Sequence, residues 1–429
     1  MCKHSSSLSR TVWYFLKVVD QPISSALQKW LLAVYGAGHT PARPRVAERL
    51  LRENPDFGDL APYAAGNATG IERNPEATAG MPPLVALTHS SLCRERPADF
   101  EQCLRLLLAR GEDPNQSWTD PHFPGSALSA LYGAAGKNHQ PGLTKILLEA
   151  GANPNDGESL YHSCETRDLT CMKLLLAAGA KPKGTNALNK SLDFDHLACT
   201  QLLLDAGADP NEGVPALFWA IRRRRSLAHV EALLRAGADA STAYRDRTPY
   251  RWALLFGLRE IAYRLQAVTG ESHPEGIDKF LAACAAGDRA TAFAMAGEHN
   301  WIAEVPDALR RMLPDSVEAG NRNAAVLMVE LGWPLAAQGG DWNATALNLA
   351  VFRGDPWLTR FLLEHGASWE ERHGYNDDVR GTLSFASTAE PAVGGDWLAC
   401  AKALIAAGMP KPGPSYRFSA PIQAYFDSL

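Results

Sequence analysis

The 429-residue sequence predicts an all-α fold, a solenoid of stacked helix-turn-helix units. Two phrases recur along the chain, and successive copies are about 30 residues apart, a spacing typical of repeat arrays. Hydrophobic residues make up 46% of the chain and charged residues 21%, which is typical of a folded protein with a large core. Because such a unit cannot bury its apolar face alone, we expect each one to pack against its neighbours.

One recurring phrase ends the longer helix of each unit. It reads Leu-Leu, two further residues, and then Gly-Ala-x-Pro-Asn or a degenerate form of it. The leucines belong to the buried face of a helix, the glycine adopts the left-handed conformation that ends it, and Pro-Asn starts a turn. The clear copies contain Gly111, Gly151, Gly179, Gly207, Gly237, Gly366 and Gly408, and the weaker copies contain Gly270, Gly297 and Gly332.

The other phrase begins the short helix of each unit, about twenty residues before the glycine in repeats of this length. It starts with Ser, Thr or Asn, whose side-chain oxygens cap helix N-termini. The copies begin at Ser126, Ser159, Asn186, Thr248 and Thr345. The predicted unit is therefore a cap, a short helix, a turn, a longer helix, a glycine stop and a loop.

The phrases T-P-Y-R-W-A at Thr248 and T-A-L-N-L-A at Thr345 resemble the T-P-L-H-x-A signature of the ankyrin family. The resemblance covers residues 82–270 and 344–410 and implies an ankyrin-repeat solenoid. Histidine fills the fourth slot only at His162, so the array is degenerate. The intervals that lead to Gly179 and Gly207 are shorter than the family repeat of about 33 residues, which predicts short hairpin loops there. The sequence is rich in alanine and arginine and poor in lysine, a composition that is compatible with a bacterial array.

The repeats predict five segments along the chain. Terminal repeats of solenoids are commonly atypical, because one of their faces meets water. We therefore expect a helical cap at the N-terminus and a capping tail at the C-terminus. The segments are an atypical N-terminal helical cap (1–81), ankyrin repeats (82–270), degenerate ankyrin-like repeats (271–343), ankyrin repeats (344–410) and a C-terminal capping tail (411–429).

Charge and cysteine content restrict the partners and the compartment. The formal net charge is −5, so the chain has no global positive field for a nucleic acid or an anionic membrane. The eight cysteines include no C-x-x-C pair and do not have the density of a disulfide scaffold. Lys17 interrupts the one apolar run near the N-terminus, and no stretch has the roughly 18 apolar residues of a spanning helix. We expect a cytoplasmic protein, with delivery to a host cell as a further option.

No catalytic motif outweighs its structural interpretation. The sequence lacks a Walker A loop, H-E-x-x-H and G-x-S-x-G, so we predict no enzymatic activity, no cofactor and no metal. His162, Cys164 and Cys171 lie in one repeat, but tetrahedral zinc needs a fourth ligand, and core packing is the favoured interpretation. The polar loop 370–396, with His373 and Asp377, is the alternative site for an enzyme or a ligand sensor.

The first helix of each repeat leaves its variable slots exposed on the concave face. Counting from the signature, these are the fifth, eighth and ninth residues. Aromatic and arginine side chains dominate protein binding sites, so an Arg/Trp-rich stripe predicts a partner, for instance an acidic or amphipathic segment. The slots are Ser163, Thr166 and Arg167; Lys190, Asp193 and Phe194; Trp219, Arg222 and Arg223; Trp252, Leu255 and Phe256; and Leu349, Phe352 and Arg353.

The predicted partner-binding residues are Arg167, Lys190, Phe194, Trp219, Arg222, Arg223, Trp252 and Phe256. Trp219 and Trp252 fill equivalent slots, so helix packing predicts that they lie about ten ångström apart. Two alternatives stay open: the tryptophans are either binding residues or fillers between helices, and Arg222 to Arg225 are either a basic import or nucleic-acid patch or a solvated helix end. For the arginines, the solvated helix end is the favoured interpretation.

The sequence thus predicts a non-catalytic scaffold that binds another protein, of unknown identity, on the concave face. No nucleic acid and no membrane are expected as partners. A bacterial effector that acts on host proteins is an alternative form of this function, and an enzyme or ligand sensor that uses loop 370–396 is the alternative of a different class.

Overall fold

Short and long helices alternate along the chain in the order that the two recurring phrases predict. The computed structural model describes residues 25–36, 42–54, 58, 60–73, 81–119, 127–388 and 394–429. The prediction of an all-α fold is confirmed. The chain divides into two units, Met1–Asp239 and Ala240–Leu429, called unit 1 and unit 2 below.

Unit 1 begins with short helices and continues as a regular series of helix pairs. Its helices are α1 (Ser25–Tyr35), α2 (Pro44–Glu53), α3 (Ala61–Ala64), α4 (Ala68–Arg73), α5 (Pro83–Thr88), α6 (Pro97–Ala109), α7 (Ala130–Tyr132), α8 (Pro141–Glu149), α9 (Ser159–His162), α10 (Thr170–Ala177), α11 (Ala187–Asp193), α12 (Leu197–Asp205), α13 (Ala216–Arg222) and α14 (Leu227–Arg235). The predicted N-terminal cap includes residues 1–24, which lie outside the described residues.

Unit 2 contains the remaining helix pairs and the C-terminal helix. Its helices are α15 (Pro249–Leu255), α16 (Arg259–Thr269), α17 (Gly276–Ala286), α18 (Arg289–Glu298), α19 (Trp301–Glu304), α20 (Met312–Glu318), α21 (Arg322–Glu330), α22 (Ala346–Phe352), α23 (Pro356–Glu364), α24 (Val379–Thr388), α25 (Trp397–Ala406) and α26 (Ala420–Asp427).

Within each unit, helices of one kind pack against the same kind in the next repeat. In unit 1 the first helices α11 and α13 are in contact, as are the second helices α12 and α14. In unit 2 the first helices α22 and α24 and the second helices α23 and α25 pack in the same way. The leucine four residues before each clear marker glycine fills this core, and the buried set is Leu107, Leu147, Leu175, Leu203, Leu233, Leu362 and Leu404.

The clear marker glycines end the second helices as the sequence predicts. All seven have a positive φ, between 87° and 99°, a conformation that glycine adopts without a steric penalty. Gly270 and Gly332 also have a positive φ. The prediction for Gly297 is wrong, since this residue lies inside α18, and the positive-φ glycine of this repeat is Gly287, at the end of α17.

The predicted helix caps hold in two repeats. The Thr248 hydroxyl accepts the backbone N–H of Arg251 at 3.3 Å, and the Thr345 hydroxyl accepts that of Asn348 at 3.4 Å. Asn186 occupies the cap position of α11 but makes no capping bond. A threonine or asparagine at this slot therefore marks the helix start in all three repeats, and only threonine caps it.

Of the two other predicted starts, one lies outside the described residues and the other is displaced by one residue. Ser126 lies outside the described residues, and the hydroxyl of Ser129 caps α7. Ser159 is the first residue of α9 and does not cap it, because the Asp156 carboxylate accepts the Ser159 N–H at 2.9 Å. The capping prediction for Ser159 is therefore wrong.

A short hairpin is the only sheet among the described residues. Ser117–Thr119 pairs antiparallel with Ala127–Ser129. The first helix that follows continues as a π-helical turn over Gly133–Lys137. Among the described residues, none of the helices combines the length and the apolar composition of a membrane span.

Candidate functional site

The exposed face of the first helices in unit 1 carries a cluster centred on Asp193. This carboxylate, at the end of α11, accepts the indole N–H of Trp219 at 2.9 Å and the Nε–H of Arg223 at 2.6 Å. Both donors come from the next repeat, at α13 and its C-terminal end. One side chain of α11 thus fixes the ring and the guanidinium of α13.

Two guanidinium groups lie over the Trp219 ring. The Arg222 carbon Cζ is 5.5 Å from the ring centroid, and that of Arg223 is 5.1 Å away. These distances fall within the range of cation–π attraction. The ring, the two arginines and Asp193 form one preorganised group, called the Trp219 cluster below.

Lys190 lies between two aromatic rings on the same face. Its ammonium is 4.8 Å from the ring centroid of Tyr161 and 5.2 Å from that of Phe194. It also pairs with the Glu165 carboxylate at 2.9 Å. Phe194 remains 43% exposed, the largest exposure among the predicted aromatic residues of this face.

His162 bridges two carboxylates next to Lys190. Its Nδ1 lies 2.9 Å from Glu165 and its Nε2 lies 3.2 Å from Glu158. Burial opposes the charged imidazolium, but the hydrogen bonds to the two carboxylates outweigh it and raise the pKa of His162. Burial also opposes ionisation of Glu165, but the bonds from His162 and Lys190 lower the pKa of this carboxyl to about 2.

The metal hypothesis for this repeat has no support among the described residues. His162 uses both ring nitrogens on carboxylates, Cys164 lies against the backbone oxygens of Leu160 and Ala187, and Cys171 contacts Thr144. No group of His, Cys, Asp or Glu in the described part of the chain has the arrangement of a metal site.

The arginine run after α13 is tied to acidic residues of the preceding repeat. Arg223 bonds Asp193, and Arg225 pairs with Asp195 at 3.0 Å. Arg225 also donates from its Nε to the Arg223 carbonyl at 2.9 Å. These contacts place carboxylates among the arginine side chains. The carboxylates would repel the phosphate backbone of a nucleic acid.

The register predicted for the repeat at Ser159 is wrong by one residue. Because α9 begins at Ser159, Ser163 takes the place of a core residue and is buried. Glu165 and Thr166 fill the eighth and ninth slots, and Arg167 is exposed in the turn that follows. The binding role of Arg167 stays a prediction, from a different position.

In unit 2 the predicted slots divide into buried and partly exposed residues. Leu255 and Leu349 are 6% and 1% exposed, so the prediction that they are surface residues is wrong. Trp252 and Phe256 are half-buried, and their ring centroids are 6.2 Å apart. The indole N–H of Trp252 donates to the Tyr244 carbonyl at 2.7 Å, which fixes the ring against the turn closed by the Tyr244 and Arg247 bridge.

The polar loop that begins at residue 370 makes contacts within its own repeat and with the tail. The His373 N–H donates to the Asp377 carbonyl at 3.1 Å, and the His373 Nδ1 accepts the Tyr375 N–H at 3.2 Å. The Asp377 carboxylate accepts the Tyr416 hydroxyl at 2.8 Å. The side chains of His373 and Asp377 therefore hold the loop in its conformation. Residues 389–393 of the loop lie outside the described residues.

Residues 168–244 match the family model described as ankyrin repeats, in three copies. This segment of the chain consists of ankyrin repeats. Among solved structures, the chain is similar to the human ASB11 ankyrin repeat domain, with 22% identity, a TM-score of 0.25, and coverage of 59% of this chain and 99% of that one. None of the curated proteins matches the chain.

Ankyrin repeats generally serve as protein–protein interaction modules, and their fold is typically non-catalytic. The matched segment 168–244 contains Lys190, Phe194 and the Trp219 cluster. The acidic partners of these basic residues were not predicted as binding residues. The sequence does contain a signal for these acidic residues. Glu165 and Asp193 fill the same slot of consecutive repeats, and a basic residue follows each of them in the next repeat.

Proposed function

We propose that the protein is a non-catalytic scaffold that binds a partner protein through the first-helix face of its ankyrin repeats. The residues proposed for contact are Arg167, Lys190, Phe194, Trp219, Arg222 and Arg223 in unit 1, and Trp252 and Phe256 in unit 2. The observation that carries the proposal is the Trp219 cluster, in which Asp193 holds an indole and a guanidinium in place.

Preorganisation makes such a cluster suited to binding. Side chains that are fixed before a partner arrives lose little conformational entropy on association. Tryptophan and arginine also supply the largest share of binding energy in protein interfaces. Phe194, exposed beside the Lys190 ammonium, extends the same face with an apolar contact. The predicted partner is a protein segment with acidic and apolar side chains.

Affinity capture from the native cell tests this function. We expect the wild-type chain to recover a partner that the Trp219→Ala/Trp252→Ala double variant does not recover. Trp357→Ala is the matched control, because this tryptophan is 44% exposed and lies on the second helix α23. Recovery of the same partners by the double variant would contradict the proposal.

Loop 370–396 separates this function from the enzyme or sensor alternative. The contacts of His373 and Asp377 are those of loop residues, so we expect the His373→Ala/Asp377→Ala variant to recover the same partner as the wild type. A turnover that is present in the wild type and absent in this variant would favour the alternative. A bacterial effector role is a narrower form of the same proposed function. It is tested by whether the captured partner is a host protein.

A further inference from the structure

A row of five aromatic rings lies on unit 2. Phe385 stacks on Phe352 with a centroid distance of 6.4 Å, and Phe352 contacts Trp342 at 5.5 Å. The row continues from Trp342 to His373 at 5.0 Å, and from His373 to Tyr375 at 5.9 Å. Its two ends, Phe385 and Tyr375, are 50% and 72% exposed. We call this surface the aromatic row.

Backbone contacts of two repeats hold the row in place. Phe352 and Phe385 lie on the neighbouring first helices α22 and α24. Trp342 lies on the turn closed by the Gly339 and Ala344 bridge. The Gly374 N–H donates to the Trp342 carbonyl at 2.9 Å, which joins this turn to the loop that carries Tyr375. The rings are thus part of an ordered surface.

Among the other exposed rings of the described residues, Phe194, Phe293 and Trp357 lie under cations of the same chain, and Tyr263, which is 76% exposed, does not. Within the described residues, by contrast, no lysine or arginine lies over a ring of the aromatic row. The aromatic row therefore offers the faces that a cation from another molecule can occupy. The covered rings are Phe194 under Lys190 at 5.2 Å, Phe293 under Arg289 at 5.0 Å and Trp357 under Arg322 at 5.1 Å.

The charges beside the row favour a cation. Residues 370–380 contain four carboxylates and two arginines, of which Arg380 pairs with Asp378, and the exposed Asp341 precedes Trp342. Asp377 accepts bonds from two neutral donors, the Tyr416 hydroxyl and a backbone N–H. Burial lowers the pKa of His373 and so disfavours the positively charged form of its imidazole.

We propose that the aromatic row binds a basic segment of a partner protein, with arginine or lysine side chains placed over the exposed rings of Phe385 and Tyr375. Cation–π attraction and the neighbouring carboxylates act together in such a site. A nucleic acid would also stack on aromatic rings, but the carboxylates repel its phosphates. The site and its partner chemistry differ from those of the Trp219 cluster.

Fluorescence anisotropy with the full chain and defined probes tests this inference. The probes are two short labelled peptides, one alternating Arg and Gly and the other alternating Glu and Gly, and an oligothymidine. We expect the Arg peptide to bind about tenfold more tightly than the Glu peptide, as charge complementarity requires. Phe385→Leu and Tyr375→Leu should each weaken it by about three- to tenfold.

Phe293→Leu is the control, since it removes an exposed ring of unit 2 that is already covered by Arg289. It should leave the affinity for the Arg peptide unchanged. Equal affinity for both peptides, tighter binding of oligothymidine, or full binding by Phe385→Leu and Tyr375→Leu would overturn the proposal. Trp219→Ala should keep full affinity for the Arg peptide, so this result does not depend on the proposed function.

Discussion

Asparagines in the Gly-Ala-x-Pro-Asn phrase join consecutive repeats of unit 1. Each donates its amide N–H to the carbonyl of the next marker glycine and accepts a backbone N–H two residues beyond that glycine. Lys183 stands in this slot after Gly179, where asparagine would be expected. The bonds are those of Asn115 to Gly151 and Asn153 (3.3 and 2.7 Å), Asn155 to Gly179 and Lys181 (3.2 and 2.8 Å), and Asn211 to Gly237 and Asp239 (2.9 and 2.8 Å).

Lys183→Asn should therefore stabilise the protein. The new amide can bond the Gly207 carbonyl and the Asp209 N–H, as its counterparts do in the other repeats. A net gain of about 1 kcal/mol in the free energy of unfolding is expected from such bonds. Urea denaturation measures the change as a shift of the midpoint at constant slope.

Lys183→Gln is the control for this substitution, because it removes the same charge and places the amide one methylene too far along the side chain. We expect it to have the stability of the wild type. The reverse change Asn155→Lys should lower the free energy of unfolding by about 1 kcal/mol or more, since it leaves backbone groups unpaired. Equal stability of Lys183→Asn and Lys183→Gln would contradict the assignment.

Single residues also show where sequence reasoning stops. The leucines and the clear glycine stops follow from local patterns, and the structure places them as predicted, whereas the weak copy at Gly297 fails. The role of Asp193 does not, because its donors Trp219 and Arg223 belong to the next repeat. The register at Ser159 failed for a local reason: Asp156 accepts the N–H groups at the start of α9, so the helix begins one residue earlier than its serine suggests.

At the scale of helices, the glycines that end first and second helices have different surroundings. Gly237 follows the second helix α14 with a φ of 87°, and a Cβ there would meet open space. Gly257 follows the first helix α15 with a φ of 68°, and a Cβ there would lie 2.5 Å from the Ala285 carbonyl oxygen. A side chain at position 237 is disfavoured by the backbone conformation alone, whereas a side chain at position 257 is disfavoured by close packing as well.

Gly257→Ala should consequently destabilise the protein more than Gly237→Ala. The left-handed conformation costs an alanine about 1 kcal/mol at either position. The backbone contact at Gly257 should add about 1–3 kcal/mol, because Ala285 must move. Chemical denaturation of both variants gives the comparison. A loss at Gly257 no larger than that at Gly237 would show that the contact relaxes freely.

For the whole molecule, buried histidines determine how stability responds to pH. His89 is buried, its Nε2 lies 2.9 Å from the Ser129 carbonyl oxygen, and burial is the main cause that lowers its pKa to about 3. The pKa of His139, His196, His229 and His373 is also lowered, chiefly by burial. His162 is the opposite case, with a raised pKa. No sequence pattern distinguishes these histidines, because burial and the charges of neighbouring repeats decide the sign.

The two classes of histidine act in separate pH windows. His89 binds its proton more weakly when folded, so stability is full above its ordinary pKa of 6.5 and falls as the pH decreases toward 3. His162 binds its proton more tightly when folded, so its contribution is full below 6.5 and is lost as the pH rises through the folded-state pKa.

His89→Gln keeps an N–H donor and removes the titration. Between pH 6.5 and 5 its stability should fall less steeply than that of the wild type, by up to about 1.4 kcal/mol per pH unit, which is the slope for one proton. His162→Gln is the matched variant: it should leave that acid slope unchanged and remove part of the decline above pH 6.5. Urea midpoints measured across pH 5–9 report both slopes. If His89→Gln and the wild type lose stability in parallel between pH 6.5 and 5, then His89 is protonated in the folded protein, and burial does not control its charge.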